Sequence, residues 1–146
     1  DDNIRFALAL CDIDGFAGYN DRDGTAAGDL ALRLFAEVMG ATLRPGDIVA
    51  RHSGDRFLAI IRGCTAAQAQ SAMERVREAL VLELADQELA PFTVSVGIAE
   101  SGSAERVEDV VESADVAVLV AKREGGNRVL LGDFSKVAAA GLDDLG

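Results

Sequence analysis

The sequence lacks the long apolar runs that mark membrane proteins. Of its 146 residues 49% are apolar and none is tryptophan, but no run approaches the roughly 20 consecutive apolar residues that cross a bilayer. The longest candidate, 110–120, is interrupted by Glu112, Ser113 and Asp115 and is typical of an amphipathic helix. The N-terminus also has none of the segments of a signal peptide. We therefore expect a domain that makes no membrane contact.

Basic residues are scarce. The chain has 14 lysines and arginines against 25 aspartates and glutamates, which gives a formal net charge of −11. A protein of this sign does not attract the phosphate backbone by long-range electrostatics, so we predict no binding to nucleic acid. A ligand that carries phosphates would need a local cluster of donors, or Mg²⁺ to screen the carboxylates.

Cysteine is scarce as well. Cys11 and Cys64 are the two cysteines of the chain, and they do not have the spacing of a metal site. Cys11 lies inside an apolar run, so we predict that it is a buried structural residue. Free cysteines persist in the reducing cytoplasm, which is the expected location of the domain.

The sequence does contain alternating strand and helix patterns. Short apolar or alternating runs predict strands at 4–11, 48–51, 57–61, 92–98 and 128–131. Stripes of period 3.6 predict helices that include 27–39, 69–80 and 105–122. This order predicts one α/β domain over 1–133, with a mixed central sheet of about five strands flanked by helices. For the tail, 134–146, a loose helix and disorder are both open.

Three aspartates stand at the predicted ends of neighbouring strands. Asp12 and Asp14 follow the first strand, and Asp55 lies in the hairpin between the second and third strands. Carboxylates gathered in this way suit Mg²⁺ together with the phosphates of a substrate. The alternative is that each aspartate only caps or turns the chain, as aspartates in loops often do.

A series of short motifs runs in order from about Phe6 to Leu131. It consists of Asp12-Ile13-Asp14-Gly15-Phe16, Asn20-Asp21, Gly24, Gly28-Asp29, Arg44-Pro45-Gly46-Asp47, Ser53-Gly54-Asp55-Arg56-Phe57, Ser95-Val96-Gly97, Ala114-Asp115 and Ala121-Lys122. At these spacings the motifs resemble the landmarks of GGDEF domains, the diguanylate cyclase family. The resemblance implies a nucleotidyl-cyclase-like fold with a ferredoxin-like βαββαβ core.

The resemblance also implies a function and its residues. Such domains, as homodimers, condense two GTP into cyclic di-GMP with Mg²⁺ or Mn²⁺, under an N-terminal sensor or receiver domain. By position, Asp12 and Asp55 resemble the catalytic and metal-binding carboxylates, and Ile13 joins the metal set. Asn20, Asp29 and Lys122 resemble the groups that bind the substrate, the first two at guanine and the lysine at phosphate. We expect this chain to be an N-terminally truncated fragment, because the segment that usually opens such domains is missing.

The signature of the family is degenerate in this chain. It reads Ser53-Gly54-Asp55-Arg56-Phe57, so a serine replaces the first glycine and an arginine replaces an acid. Ala17 and Gly126 stand where the family usually has a lysine and an arginine. Two cations that face the phosphates are therefore missing. Arg56 either pairs with Asp12 and Asp55 and competes with Mg²⁺, or points away from Asp55 and only removes an acid.

Arg44 and Asp47 form an RxxD pair ahead of the signature, where many cyclases carry an inhibitory site for their product. The pair suits guanine, because arginine donates twice to O6 and N7 and aspartate accepts from the N1 and N2 hydrogens. The alternative is that Arg44 follows a helix end and Asp47 closes a Pro-Gly turn.

Three functions remain open on the sequence alone. The favoured one is a catalytically weak or inactive domain that binds cyclic di-GMP through Arg44 and Asp47. The second is an active diguanylate cyclase, since five residues of the expected site persist: Asp12, Asn20, Asp29, Asp55 and Lys122. The third is a module for GTP sensing or dimerisation that uses neither site.

Overall fold

A computed structural model describes residues 5–102 and 106–132 of the chain. The described residues form nine elements: β1 Phe6–Ile13, α1 Phe16–Asp23, α2 Thr25–Thr42, β2 Ile48–Ser53, β3 Arg56–Arg62, α3 Ala66–Asp86, β4 Val94–Glu100, α4 Val107–Arg123 and β5 Val129–Leu131. All the predicted strands and helices are present in the predicted order. The predicted tail, 134–146, and the domain boundary at 133 lie outside the described residues.

The five strands form one mixed sheet in the order β2-β3-β1-β4-β5. β1 is the central strand and pairs antiparallel with both β3 and β4. β2 and β3 form the predicted antiparallel hairpin, and β5 pairs parallel with β4. β1, α2, β2, β3, α3 and β4 follow one another as βαββαβ, so the predicted fold class is confirmed.

Helices cover both faces of the sheet. On one face, α2 and α3 bury a large core with Phe35, Met39 and Met73 at its centre. On the other face, α4 packs on Leu8 and Leu10 of β1. Because β1 is covered on both faces, its residues from Ala7 to Cys11 are all buried. Burial raises the pKa of the Cys11 thiol, which agrees with the structural role that the sequence predicts.

α1 is the one described helix that the sequence analysis missed. Its eight residues are mostly polar, and Tyr19 is its buried residue, so the stripe that would reveal a helix is absent. Tyr19 holds α1 in place because its hydroxyl donates to Ala90 O at 2.9 Å. Its ring also lies edge-on to Phe92, with 5.7 Å between centroids.

The ends of β1 and β4 fall two residues later than predicted. The sequence places the end of β1 before Asp12, because a carboxylate is unfavourable in a buried strand. In the structure Asp12 is still paired, with Arg56 of β3 on one side and Ser95 of β4 on the other. Polar neighbours on both sides therefore keep an aspartate within the sheet.

The helices have two further features. Thr65 and Gln68 form a reciprocal capping box, in which Gln68 N donates to Thr65 Oγ1 at 3.1 Å and Thr65 N donates to Gln68 Oε1 at 2.9 Å. Among the described residues no helix is both long enough and apolar enough to span a membrane.

Gly97 sets how closely α4 approaches the sheet. A Cβ at this position would lie 2.0 Å from Ala114 O and 2.7 Å from Val118 N. Both atoms belong to the backbone of α4, so a side chain can be fitted only if the helix moves.

We expect Gly97→Ala to lower the free energy of unfolding by about 3 kcal/mol or more, because overpacking against a backbone cannot relax locally. Urea unfolding followed by circular dichroism measures the change. Gly40→Ala is the matched control, since Gly40 lies within α2 and its Cβ would meet nothing within 4 Å. This control should gain about 0.5–1 kcal/mol. Equal stabilities for the two variants would contradict the packing argument.

Candidate functional site

The three aspartates predicted to converge do lie together, at the end of β1 beside the β2–β3 hairpin. Ile13 N donates to Asp55 O at 3.2 Å, and Asp14 N donates to Thr93 O at 2.9 Å. Antiparallel pairing fixes this arrangement, because Asp12 stands directly opposite Arg56 at the start of β3. We call the group of Asp12, Asp14, Asp55, Arg56, Asp115 and Lys122 the acidic pocket.

Asp14 is the best-bound carboxylate of the acidic pocket. Its Oδ1 accepts from Ser95 Oγ at 2.7 Å and from Lys122 Nζ at 3.1 Å. Its Oδ2 accepts from Thr93 Oγ1 at 2.7 Å and from Asn127 N at 2.9 Å. Burial alone would raise the pKa of Asp14, but these four donors hold it below its ordinary value. Asp14 is therefore a charged anchor.

Asp12 lies between two cations. Its Oδ1 is 3.5 Å from Lys122 Nζ, and its Oδ2 is 3.5 Å from Arg56 Nε. Burial raises the pKa of Asp12 and outweighs the lowering by Lys122, while the neighbouring Asp55 adds to the rise and Arg56 opposes it. Asp12 thus has a cation on each side, yet burial and Asp55 keep its pKa above the ordinary value.

Arg56 distinguishes between the two alternatives that the sequence left open. Its Nη2 donates to Asp115 Oδ1 of α4 at 2.6 Å, and its Nε faces Asp12. The sequence suggested Asp12 and Asp55 as partners of Arg56. In the structure its partners are Asp12 and Asp115. The sequence analysis noted Asp115 only as part of a motif, because a contact across 59 residues leaves no local signal.

The acidic pocket does not fit a divalent cation as it is arranged. The oxygens of Asp14 are taken by four donors, and those of Asp12 face two cations. The sequence-based expectation that Asp12, Ile13 and Asp55 hold Mg²⁺ thus meets an Asp12 whose two oxygens already face Lys122 and Arg56.

Gly126 sits against Asp14 in a conformation that favours glycine. Its φ is +72°, and a Cβ here would lie 3.1 Å from the carboxylate of Asp14. The next residue, Asn127, is held by Arg77 of α3, whose Nη2 donates to both Asn127 O and Asn127 Oδ1 at 2.7 Å. Sequence reasoning missed Arg77, since a single arginine on a long helix carries no pattern.

Asn20 and Asp29, the two residues expected to read guanine, lie on α1 and α2. Asn20 packs directly over Gly28, where a Cβ would come within 1.7 Å of its Oδ1. This Oδ1 is buried and has no hydrogen-bond partner within the described part of the chain. Asp29 lies one residue further along α2 and is exposed. A free acceptor on Asn20 suits a donor from a ligand.

Arg44 and Asp47 lie at the other end of β3. Arg44 N and Arg44 Nε donate to Asp47 Oδ2 at 3.0 and 3.4 Å, and Asp47 N closes the Pro-Gly turn onto Arg44 O at 3.0 Å. The turn that the sequence offered as an alternative is therefore real. The Arg44 guanidinium also donates to Arg62 O and remains 57% exposed, whereas the Asp47 side chain is 3% exposed. Hydrogen bonding to Asp47 raises the pKa of Arg44.

Two open grooves flank the Arg44–Asp47 pair. One has a volume of about 480 Å³ and includes Arg5 and Arg62 in its lining. The other, of about 360 Å³, includes Gln68 and Arg75. Arg44 and Asp47 line both grooves. Sequence reasoning missed these three further arginines, because they come from separate segments that only the fold brings together.

Comparison with known proteins agrees with this architecture. A family model described as the GGDEF domain of diguanylate cyclases matches residues 1–128. Diguanylate cyclase A of Treponema denticola is 31% identical over 128 residues, which is 86% of this chain and 34% of that protein. The probable diguanylate cyclase DgcC of Escherichia coli is 36% identical over the same shares. The chain thus spans about a third of the length of these curated relatives.

Solved structures agree as well. The GGDEF domain of DgcB from Caulobacter crescentus in complex with c-di-GMP is 33% identical, with a TM-score of 0.78 over 88% of this chain and 78% of that one. The GGDEF domain of YfiN (TpbB) from Pseudomonas aeruginosa is 28% identical, with a TM-score of 0.80 over 88% and 83%. The chain has a mixed five-stranded sheet, and the family model matches its residues 1–128. The chain therefore belongs to the GGDEF domain family of diguanylate cyclases.

Proposed function

We propose that this domain acts in cyclic di-GMP signalling as a receptor that binds cyclic di-GMP at Arg44 and Asp47 and has little or no synthetic activity. The observation that carries the proposal is the arginine-lined groove around the RxxD pair. The related GGDEF domain of DgcB was solved in complex with c-di-GMP, which supports the choice of ligand.

The chemistry of the RxxD pair suits a guanine base. Arg44 is largely exposed and presents a planar guanidinium that can donate twice to O6 and N7. Its side-chain bonds to Asp47, at 3.3 and 3.4 Å, are long, so a guanine would replace these weak bonds and the bond to Arg62 O. Once Arg44 swings out, Asp47 is uncovered and can accept from the N1 and N2 hydrogens of the same base.

The surrounding charge suits the phosphates of a cyclic dinucleotide. The chain as a whole is strongly acidic, with a net charge of −11, so an anion requires a local cluster of donors. Arg5, Arg62 and Arg75 provide that cluster in the two grooves beside Arg44. Charge-assisted hydrogen bonds from guanidinium groups are the strong kind for phosphate.

The acidic pocket argues for weak synthesis. Its only lysine, Lys122, is occupied by Asp12 and Asp14 among the described residues, and Ala17 and Gly126 supply no cation for the phosphates of GTP. Active synthesis remains the second candidate, because Asp12, Asp55 and Lys122 lie together and the curated relatives are named diguanylate cyclases. A module for GTP sensing or dimerisation is the third.

The proposal places the domain in a larger signalling protein. We propose that it works in the cytoplasm as a homodimer and responds to an N-terminal sensor or receiver domain. Mg²⁺ or Mn²⁺ enters only if GTP is bound in the acidic pocket.

We expect Arg44→Ala to weaken binding of cyclic di-GMP about tenfold to a hundredfold, since it removes charge-assisted hydrogen bonds to guanine. Calorimetric titration of nucleotide-stripped protein measures the affinity. Arg33→Ala is the matched control, because Arg33 is an exposed arginine of α2 that lines neither groove. An unchanged affinity in Arg44→Ala would remove Arg44 from the site. No binding by the unaltered domain would favour the third candidate.

Incubation of the domain at high concentration with GTP and Mg²⁺ or Mn²⁺ should yield no cyclic di-GMP above a protein-free blank, because the cations that stabilise phosphoryl transfer are missing or already paired. Chromatography of the nucleotides measures the product. If product appears, the Asp55→Ala variant decides its origin. Synthesis that disappears in Asp55→Ala would establish the second candidate.

A further inference from the structure

Arg56 connects two elements that would otherwise present bare carboxylates to each other. It opens β3 opposite Asp12 of β1, and its guanidinium reaches Asp115 of α4. The Nη2 atom lies 2.6 Å from Asp115 Oδ1, and the Nε atom lies 3.5 Å from Asp12 Oδ2. The arginine side chain is 24% exposed. From a largely buried position, one cation therefore donates a hydrogen bond to an acid of the helix and lies within ion-pair distance of an acid of the sheet.

This arrangement resembles what a bound cation does for a cluster of acids. Asp12 and Asp115 approach one positive group from two sides, while Lys122 takes the remaining oxygen of Asp12 and one oxygen of Asp14. A divalent ion at Asp12 would have to displace at least one of these cations. It would also leave the displaced guanidinium buried without its carboxylates, which is costly.

The charge of Arg56 is permanent in a way that the charge of a metal site is not. A guanidinium keeps its proton at any pH a protein tolerates, and it cannot dissociate or be removed by a chelator. We propose that Arg56 is a built-in counter-ion that takes the place of a divalent cation in the acidic pocket, so that without a nucleotide the pocket neither needs nor binds Mg²⁺ or Mn²⁺. This inference concerns the pocket at the start of β3 and does not depend on binding at Arg44.

Arg56→Glu tests the proposal, with Mn²⁺ alone as the probe and no nucleotide present. Electron paramagnetic resonance of free Mn²⁺ during a titration measures the number of sites and their affinity. We expect the unaltered domain to show no saturable site at millimolar Mn²⁺. The variant should gain one site with a Kd at least about tenfold below the highest Mn²⁺ concentration used, because a fixed cation is exchanged for a carboxylate. Adding Asp12→Asn to the variant should abolish that site.

Arg33→Glu is the matched control for charge. It makes the same change on an exposed residue of α2 that takes no part in the contacts of the acidic pocket. If Arg33→Glu gains Mn²⁺ affinity equal to that of Arg56→Glu, the gain is a general charge effect and the proposal is wrong. It is equally wrong if the unaltered domain already binds one Mn²⁺ as tightly as the variant does.

Arg56→Gln keeps the test decisive if Arg56→Glu does not fold. Glutamine removes the cation without adding an acid, so a smaller gain in Mn²⁺ affinity is expected over the unaltered domain. A folded Arg56→Gln protein with no gain would overturn the proposal. In parallel, the melting temperature of the unaltered domain should be the same in Mg²⁺ and in a chelator, and a rise with Mg²⁺ that persists in Arg44→Ala would also overturn it.

Discussion

The carboxylate of Asp14 is the interaction on which the rest of the site depends. It stands at the end of the central strand and receives donors from Thr93 and Ser95 at the start of β4, from Lys122 at the end of α4 and from the backbone of Asn127 before β5. One half-buried charge thus joins three elements that are far apart in sequence. Because four donors satisfy it, the cost of burying this charge is offset locally.

The two candidate ligand regions lie at opposite ends of β3. Arg56 begins this strand, and Arg62, beside Arg44, ends it. Seven residues of strand separate the regions by roughly 20 Å. A cyclic dinucleotide in the grooves at Arg44 would therefore not touch the acidic pocket. The central sheet supports both regions, but each depends on its own side chains.

Sequence patterns predicted the fold well and the site in part. Periodic apolar residues located every strand and all described helices except α1, which only Tyr19 and the half-buried Phe16 attach to the core. The meeting of Asp12, Asp14 and Asp55 also followed from the order of the strands. The partner of Arg56 did not, because the sequence gives no sign that Asp115 lies across the pocket. The arginines around Arg44 were missed for the same reason, since each comes from a different segment.

The conformation of Gly126 limits which substitutions this domain can accept. A new side chain there must adopt a left-handed backbone and must also press on the carboxylate of Asp14, which would have to give way. An arginine at this position could therefore be accommodated only if the Asp14 carboxylate and its four donors shift. The effect of a substitution at Gly126 therefore depends on the residues that hold Asp14. A substitution at Gly126 and a change among the groups around Asp14 should therefore have non-additive effects on the free energy of unfolding.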